Sequence, residues 1–218
     1  MLRVLLAAAA LVAPGHSVDG RPIRVLERGD ANAATRILVV GCIHGDETAG
    51  IAIVQRLGQL PVPAGVELVL VPTLNPDGVA AHSRGNAHGV DLNRQFPWFW
   101  ARSPRGVFYS GPRPLSEPES RFADRLIRRV RPTISIWYHQ HLTLVAREPR
   151  GNLRLERRYA ERVGLPLKWI GRFHGSVAAW ENETFPGTAA FVVELPAGAL
   201  SAAAVDRHAH AVLALAEP

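Results

Sequence analysis

Short apolar runs and amphipathic stretches alternate along the chain. The apolar runs are rich in Val, Ile and Leu and too short to be whole helices, which is typical of strands buried on both faces. The predicted strands cover residues 23–26, 37–40, 66–71, 133–138 and 190–195. Apolar residues at helical spacing predict helices at residues 48–60, 116–130, 153–163 and 199–216. Ser116 and Glu119 have the spacing of a capping box at the start of the second helix.

The order of these elements predicts the fold class. A strand, a helix and a second strand follow one another within residues 37–71, and such a crossover joins parallel strands. We therefore expect an α/β fold with one central, mixed but mostly parallel, twisted sheet flanked by helices. The length of 218 residues fits a single domain, which we place at residues 15–218. Residues 75–114 show little regular pattern, and a long irregular stretch in a compact domain is usually functional.

Composition excludes several classes of protein. Hydrophobic residues make up 47% of the chain, too many for a disordered protein. The single cysteine, Cys42, rules out an internal disulfide framework and a Cys-based zinc cluster. The net charge is +6, and among 25 basic residues only Lys168 is a lysine, which fits a coding preference for arginine. A basic surface would also suit an anionic polymer such as cell wall or nucleic acid, but no motif supports a nucleic-acid partner.

The first 14 residues have the pattern of a short signal sequence. Arg3 supplies a positive charge, an apolar run follows, and Ala8-Ala9-Ala10 offers a cleavage site of small residues. The pattern favours an extracytoplasmic protein, periplasmic or secreted, whereas a first apolar helix or a misassigned start would allow a cytoplasmic one. We expect no stable membrane span, because no run is long and apolar enough. The sequence does not indicate an oligomeric state.

His44 and Glu47 form the central chemical pattern of the sequence. They are three residues apart, between a predicted strand and a predicted helix, so both side chains can reach one cation. Open α/β sheets bind ligands at such carboxyl ends of strands. An imidazole and a carboxylate suit zinc, and a catalytic zinc has three protein ligands and one open position. His139 and His141 follow another predicted strand, and either can supply the third ligand.

Charged residues elsewhere suit a substrate with a carboxylate. Arg84, Asn93 and Arg94 lie in the irregular stretch, and arginine side chains bind carboxylates bidentately. In an arginine-rich chain, each of these residues also fits a solvated loop. Glu194 lies near the end of an apolar strand, where glutamate is seldom buried without a reason. A carboxylate beside a metal-bound water is a natural general base.

Taken in order, these motifs resemble the zinc carboxypeptidase family, whose best-known member is carboxypeptidase A. The shared pattern is His-x-x-Glu, an Arg, Asn-Arg, a distant His after a strand and a Glu in a late strand, and it extends from about residue 17 to the C-terminus. The resemblance implies one zinc ion per chain, bound by His44, Glu47 and His139. His139 is preferred to His141 because Tyr-His-Gln-His resembles bacterial relatives in which the first His follows the strand.

The resemblance also implies the roles of the remaining residues. Glu194 would activate the attacking water and pass its proton to the leaving nitrogen. Arg84 would stabilise the oxyanion and contact the substrate, while Asn93 and Arg94 would bind the terminal carboxylate. Two features depart from the family: the chain is short, and residues 181–188 lack the tyrosine that many members supply from a mobile loop. Asp46 is expected either to hold a ligand histidine or to act as an acid at a helix N-terminus.

Within the family, the compact size and the His44-Gly-Asp-Glu-Thr-Ala-Gly turn resemble the murein peptide amidases. That branch cleaves the bond between γ-D-glutamate and meso-diaminopimelate in wall-derived peptides. The implied partner is a peptide with a free C-terminal carboxylate. One alternative is an N-acyl amino acid deacylase of the aspartoacylase and succinylglutamate desuccinylase type, which shares the His-x-x-Glu and Asp-Leu-Asn-Arg motifs. A second alternative is a non-catalytic carboxylate-binding module on the same fold.

Overall fold

A mixed sheet of seven strands forms the centre of the fold. The computed structural model describes residues 15–217, so the predicted signal segment lies outside the described residues. The strands are β1 (Gly15–His16), β2 (Pro22–Ile23), β3 (Leu26–Gly29), β4 (Thr35–Val40), β5 (Val66–Val71), β6 (Ile134–Gln140), β7 (Leu144–Ala146), β8 (Leu167–Lys168) and β9 (Ala189–Leu195). The sheet order is β3-β5-β4-β6-β9-β7-β8, and β1 and β2 form a separate ribbon. Strands β5, β4, β6 and β9 are parallel to one another. Strand β3 pairs antiparallel with β5, and β7 pairs antiparallel with β9.

Helices cover both faces of the sheet. They are α1 (Ala49–Leu57), α2 (Pro76–Ala81), α3 (Pro118–Val130), α4 (Leu153–Val163), α5 (Val177–Thr184) and α6 (Ala202–Ala214), with a 3₁₀ turn at Leu92–Arg94. Successive residues of a strand point to opposite faces. Ile37 and Val39 of β4 accordingly join the core under α1, α4 and α6, whereas Leu38 and Val40 join the core under α3 and α5. The predicted fold class is confirmed.

Several predicted elements recur at the predicted residues. Strand β5 and helix α4 have the predicted bounds, and Gly164 ends α4 in the left-handed conformation, with φ of 74°. Such a position favours glycine because it has no Cβ. Both elements have strong local signals, a continuous apolar run for β5 and helical spacing followed by glycine for α4.

Other predictions were wrong in detail. The strand predicted at residues 23–26 is split between the β1–β2 ribbon and β3. The loop predicted after β5 contains α2, where the Asn75 side chain accepts a hydrogen bond from the Gly78 N–H at 2.9 Å. The capping box does not form, because α3 begins at Pro118 after Glu117, and the Ser116 hydroxyl donates to Glu117 instead. Proline is favoured at the first helical position, since its missing N–H would have no partner there.

Helices of membrane-spanning length and apolarity are not found among residues 15–217.

Candidate metal centre and substrate cavity

The predicted ligands meet at the carboxyl ends of neighbouring strands. The turn with His44 and Glu47 lies between β4 and α1. β6 pairs in parallel with β4 and carries His139 as its second-last residue. β9 flanks β6 on the other side and places Glu194 opposite His139 in the register. Residues distant in sequence converge because parallel strands end at the same edge of the sheet.

Three donor atoms converge on one point. His44 Nδ1 is 3.0 Å from Glu47 Oε2, and His139 Nδ1 is 2.9 Å from the same oxygen. The two Nδ1 atoms are 3.1 Å apart, and all three residues are buried. Ligand atoms of a tetrahedral zinc would be separated by about 3.3 Å, given metal–ligand distances of about 2.0 Å. We call His44, Glu47 and His139 the triad. Its donor atoms fit a metal ion if the distances between them increase by a few tenths of an ångström.

Asp91 and Arg84 hold the triad in place. Asp91 Oδ1 lies 2.9 Å from His44 Nε2 and accepts a hydrogen bond from its N–H. The proton of His44 is therefore on Nε2, and Nδ1 keeps its lone pair for a metal. Arg84 donates from Nε to Asp91 Oδ2 at 3.0 Å and from Nη1 to Glu47 Oε1 at 2.9 Å. The backbone N–H of Gln140 donates to Glu47 Oε2 at 3.1 Å. These contacts fix both carboxylates before any ligand binds.

The triad and its supports have a surplus of negative charge. Burial would raise the pKa of Glu47, but the contacts with His139 and His44 outweigh burial and hold the pKa well below its usual range. Burial likewise opposes ionisation of Asp91, but His44 and Arg84 lower its pKa. For His44, burial lowers the pKa and Asp91 raises it, with a net rise. Two carboxylates facing one guanidinium leave a negative charge that a divalent cation would neutralise.

Asn93 and Arg94 follow Asp91 in the 3₁₀ turn. Asn93 Oδ1 accepts the Val177 N–H at 2.9 Å, and its Nδ2 lies 3.4 Å from His139 Nε2, so this side chain also braces the triad. The Arg94 guanidinium packs over the rings of Phe108 and Phe173 and donates to the backbone oxygen of Asn93. Burial lowers the pKa of Arg94. Within residues 15–217, Arg94 forms no ion pair, so its charge is available to a carboxylate.

One cavity of about 310 Å³ brings the predicted site residues together. It is lined by the triad, Arg84, Asn93, Arg94, Glu194, Phe108, Phe173, Glu148, Ser176, Ile170 and Val192, among others. Glu194 forms one long contact, from the Leu142 N–H at 3.4 Å, and no ion pair in the described chain. We call this space the triad cavity. It opens into an outer cleft of about 660 Å³, which contains Asp46, Thr48 and residues 197–200 and shares Glu47 and Arg84 with the cavity.

The structure separates the two candidate histidines. Strand β6 ends at Gln140, and His141 is exposed at the cavity rim, outside the group of converging donors. Asp46 is exposed and forms no hydrogen bond to a ligand histidine in the described structure, so Asp91 takes the contact considered for Asp46. None of the chain's three tyrosines lines the triad cavity.

Sequence reasoning missed the functions of two acids in the site. Asp91 precedes Asn93 in the Asp-Leu-Asn-Arg motif, so its place in that motif could have indicated it. Glu148 lies in the loop between β7 and α4, where no spacing or local pattern sets it apart from the other glutamates of the chain. Only the folded chain brings Glu148 to the cavity.

Comparison with known proteins identifies similar sequences and structures. A family model for the succinylglutamate desuccinylase/aspartoacylase catalytic domain matches residues 33–110. Murein peptide amidase A from Escherichia coli K12 is 30% identical over 181 residues, covering 76% of this chain and 74% of that protein. The crystal structure of murein-tripeptide amidase from E. coli O157 aligns with a TM-score of 0.72 at 27% identity, over 92% of this chain and 88% of that chain.

A more distant neighbour supports the fold alone. Carboxypeptidase A from Helicoverpa armigera aligns with a TM-score of 0.74 at 18% identity, over 94% of this chain and 68% of that chain. The greater length of that enzyme agrees with the expectation that this chain is short for the family. The identity of 30% to murein peptide amidase A, over 76% of this chain and 74% of that protein, shows that this chain belongs to the carboxypeptidase-like family, in its murein peptide amidase branch.

Proposed function

We propose that this protein is a zinc-dependent hydrolase that removes the C-terminal residue of murein peptides by cleaving the bond between γ-D-glutamate and diaminopimelate. The observation that carries the proposal is the composition of the triad cavity. It combines three converging metal-ligand atoms, the carboxylate of Glu194 and an unpaired cation, Arg94. A non-catalytic carboxylate-binding module would need Arg94 but not the other two features.

The donor set supports zinc. Two imidazole nitrogens and one carboxylate oxygen are ligands that zinc prefers, and three protein ligands leave a position open for reaction. When bound, zinc would polarise the scissile carbonyl and lower the pKa of a water ligand to about 7. Asp91 keeps His44 in the tautomer that can bind the metal, and Arg84 keeps Glu47 oriented.

The remaining side chains would handle the substrate and the proton. Arg94 binds the terminal carboxylate, which places the leaving amino acid in the triad cavity and the acyl part of the substrate in the outer cleft. Glu194 accepts a proton from the attacking water and delivers it to the leaving nitrogen. Arg84 borders both spaces, and the N–H donors that it does not use for Glu47 and Asp91 can bind the developing oxyanion.

Murein peptides are the proposed substrate because the amidase relatives match most of the chain. The family-model match at residues 33–110 favours one alternative, hydrolysis of N-acyl amino acids. The two reactions would share the metal, the base and a cation for the carboxylate of the leaving amino acid, and they differ in the acyl group and in the side chain of that amino acid. Export through residues 1–14 stays a prediction.

The test is a hydrolysis assay with zinc-loaded protein and a substrate panel. L-Ala-γ-D-Glu-meso-diaminopimelate is expected to release diaminopimelate, and a chelator is expected to stop the release until zinc is restored. Cleavage of N-acetylaspartate or N-succinylglutamate instead would move the protein to the deacylase alternative. Stoichiometric zinc binding without turnover of any of these compounds would leave the binding module.

A further inference from the structure

Glu148 has a position in the triad cavity that the proposed reaction does not use. It follows β7, in the loop that leads to α4, and lines the cavity with Arg94, Ile170 and Val192. Its carboxylate forms no hydrogen bond and no ion pair with any residue among positions 15–217. Its side chain is half-buried in the cavity wall.

Glu148 has no cationic partner among residues 15–217, although the chain is rich in arginine. Several glutamates of the described structure pair with arginine, as Glu47 does with Arg84 and Glu183 with Arg150. Arg150 is only two residues from Glu148 in sequence, yet it pairs with Glu183. A partly buried carboxylate without a counter-charge costs free energy, and such groups cluster at functional sites.

The backbone fixes Glu148 in the cavity wall. Its N–H donates to Glu156 Oε1 at 3.3 Å, and its carbonyl oxygen accepts the Gly151 N–H at 3.1 Å. Glu156 is buried beneath this loop and its Oε2 atom has no partner. Burial and the neighbouring Glu156 raise the pKa of Glu148 to about 8. The loop thus holds an acid at the cavity while supplying no cation for it.

We propose that Glu148 binds an ammonium group on the side chain of the leaving amino acid. The inference rests on the proposed function, in which Arg94 binds the α-carboxylate of that residue in the same cavity. A leaving residue with a second amino group, such as diaminopimelate or lysine, would then meet a cation at its carboxylate and, at its side chain, an acid whose ionised form the ammonium stabilises. An acidic leaving residue, such as aspartate or glutamate, would be disfavoured by Glu148.

The experiment compares two substrates that differ by one charge. L-Ala-γ-D-Glu-L-lysine and L-Ala-γ-D-Glu-L-norleucine share a linear side chain, but only the lysine carries an ammonium. We expect wild type to hydrolyse the lysine peptide with the higher kcat/KM, by about 10- to 100-fold, the range for a hydrogen bond to a charged group. Glu148→Gln should lower kcat/KM for the lysine peptide by about that factor and leave the norleucine peptide within about twofold.

Controls separate recognition from structural damage. Glu161→Gln removes the same charge from the exposed face of α4 and should change neither substrate. Unchanged turnover of the norleucine peptide shows that Glu148→Gln is folded and loaded with zinc. Equal losses on both peptides in Glu148→Gln, or no preference for lysine in wild type, would overturn the inference.

A second readout keeps this inference separate from the proposed function. Calorimetric titration of meso-diaminopimelate and norleucine into zinc-loaded protein needs no turnover. We expect wild type to bind diaminopimelate more tightly and Glu148→Gln to lose that difference. If no γ-glutamyl peptide is hydrolysed but the binding difference is present, the proposed reaction fails and the assignment of Glu148 stands. Equal binding of the two amino acids in wild type overturns the assignment whatever the reaction proves to be.

Discussion

Two walls of the triad cavity differ in whether their charged side chains form ion pairs within the protein. In the wall formed by the triad, Glu47 contacts both histidines and Arg84, and Asp91 contacts His44 and Arg84. In the wall with Arg94, Glu148 and Glu194, none of these three charges forms an ion pair within residues 15–217. In the first wall every one of these charged groups has a partner, and three donor atoms converge on one point. The second is a set of separate charges that a substrate can complete.

The difference shows which of the charged groups at the cavity have partners within the protein and which do not. Charges that would position a metal have hydrogen-bond and ion-pair partners within the protein, so their geometry is fixed before binding. Charges that would recognise or activate a substrate have no ion-pair partner in the described chain. A ligand of matching charge therefore does not have to displace such a partner when it binds. Substitutions in the two walls should therefore have different signatures, one in metal affinity and the other in catalysis and specificity.

The largest effect is expected from Glu194→Gln. The variant keeps the shape of the side chain but cannot accept a proton, so kcat/KM for the murein tripeptide should fall by about 100- to 10,000-fold. Zinc content should stay near one ion per chain, because Glu194 is outside the triad. Steady-state hydrolysis with metal analysis checks both. A variant that retained more than about a tenth of wild-type turnover would contradict the role of Glu194 as the base.

Glu181, a buried acid outside both walls, extends the comparison to the free energy of unfolding. Glu181 accepts hydrogen bonds from Ser135 and Trp137 but has no cation beside it, and burial raises its pKa to about 7 from an ordinary 4.5. Between these pH values the folded state holds a proton that the unfolded state has lost. The free energy of unfolding should therefore fall as pH rises from about 4.5 to about 7.

Glu181→Gln removes this titration, and its neutral side chain can still hydrogen-bond to Ser135 and Trp137. Relative to wild type, it should be more stable by up to about 3 kcal/mol above pH 7 and lose that advantage towards pH 5. Urea unfolding at pH 5 and pH 8 measures the difference. Glu148 and Glu156 also have raised pKa values, but they contribute equally to both proteins. A pH-independent difference would show that Glu181 is already ionised in the fold.

An intermediate effect is expected from Arg94→Gln. Wild type should prefer a peptide with a free C-terminal carboxylate over the corresponding amide by about 30-fold, the value of a charge-assisted hydrogen bond. The variant should lose this preference through a higher KM for the free acid. Arg125→Gln, on the exposed face of α3, is the matched control and should leave the preference unchanged. A preference that survives in Arg94→Gln would assign the carboxylate to another cation of the cavity.

The smallest effect is expected from Asp91→Asn, in the compensated wall. Loss of the charge behind His44 should weaken zinc binding by about tenfold, near the lower end of such effects, because the amide can still accept from His44 Nε2. Competition with a chromogenic chelator measures the affinity. Asp77→Asn is the control, since Asp77 is a buried acid paired with Arg21 away from the triad. Equal losses of affinity in the two variants would indicate a general loss of structure.

Local signals account for much of what could be predicted from the sequence. The apolar run of β5 and the helical spacing and terminal glycine of α4 depend on neighbouring residues only, and both elements were predicted with the bounds that the structure has. Helix α5 and the short strands β7 and β8 were not predicted. Helix α5 has little amphipathic pattern, since most of its residues are buried, and strands of two or three residues are too short to show alternation.

The sequence by itself determined the four parallel strands, the fold class and two residues of the triad, His44 and Glu47. Those residues follow strand ends, and parallel strands bring their carboxyl ends to one edge wherever they lie in the chain. Only the tertiary structure decided between His139 and His141, gave His44 its partner Asp91 and brought Glu148 into the same cavity as Arg94. Which charges gain a partner and which stay unpaired depends on distances across the cavity between residues as far apart as 94 and 148, and no local pattern records such distances.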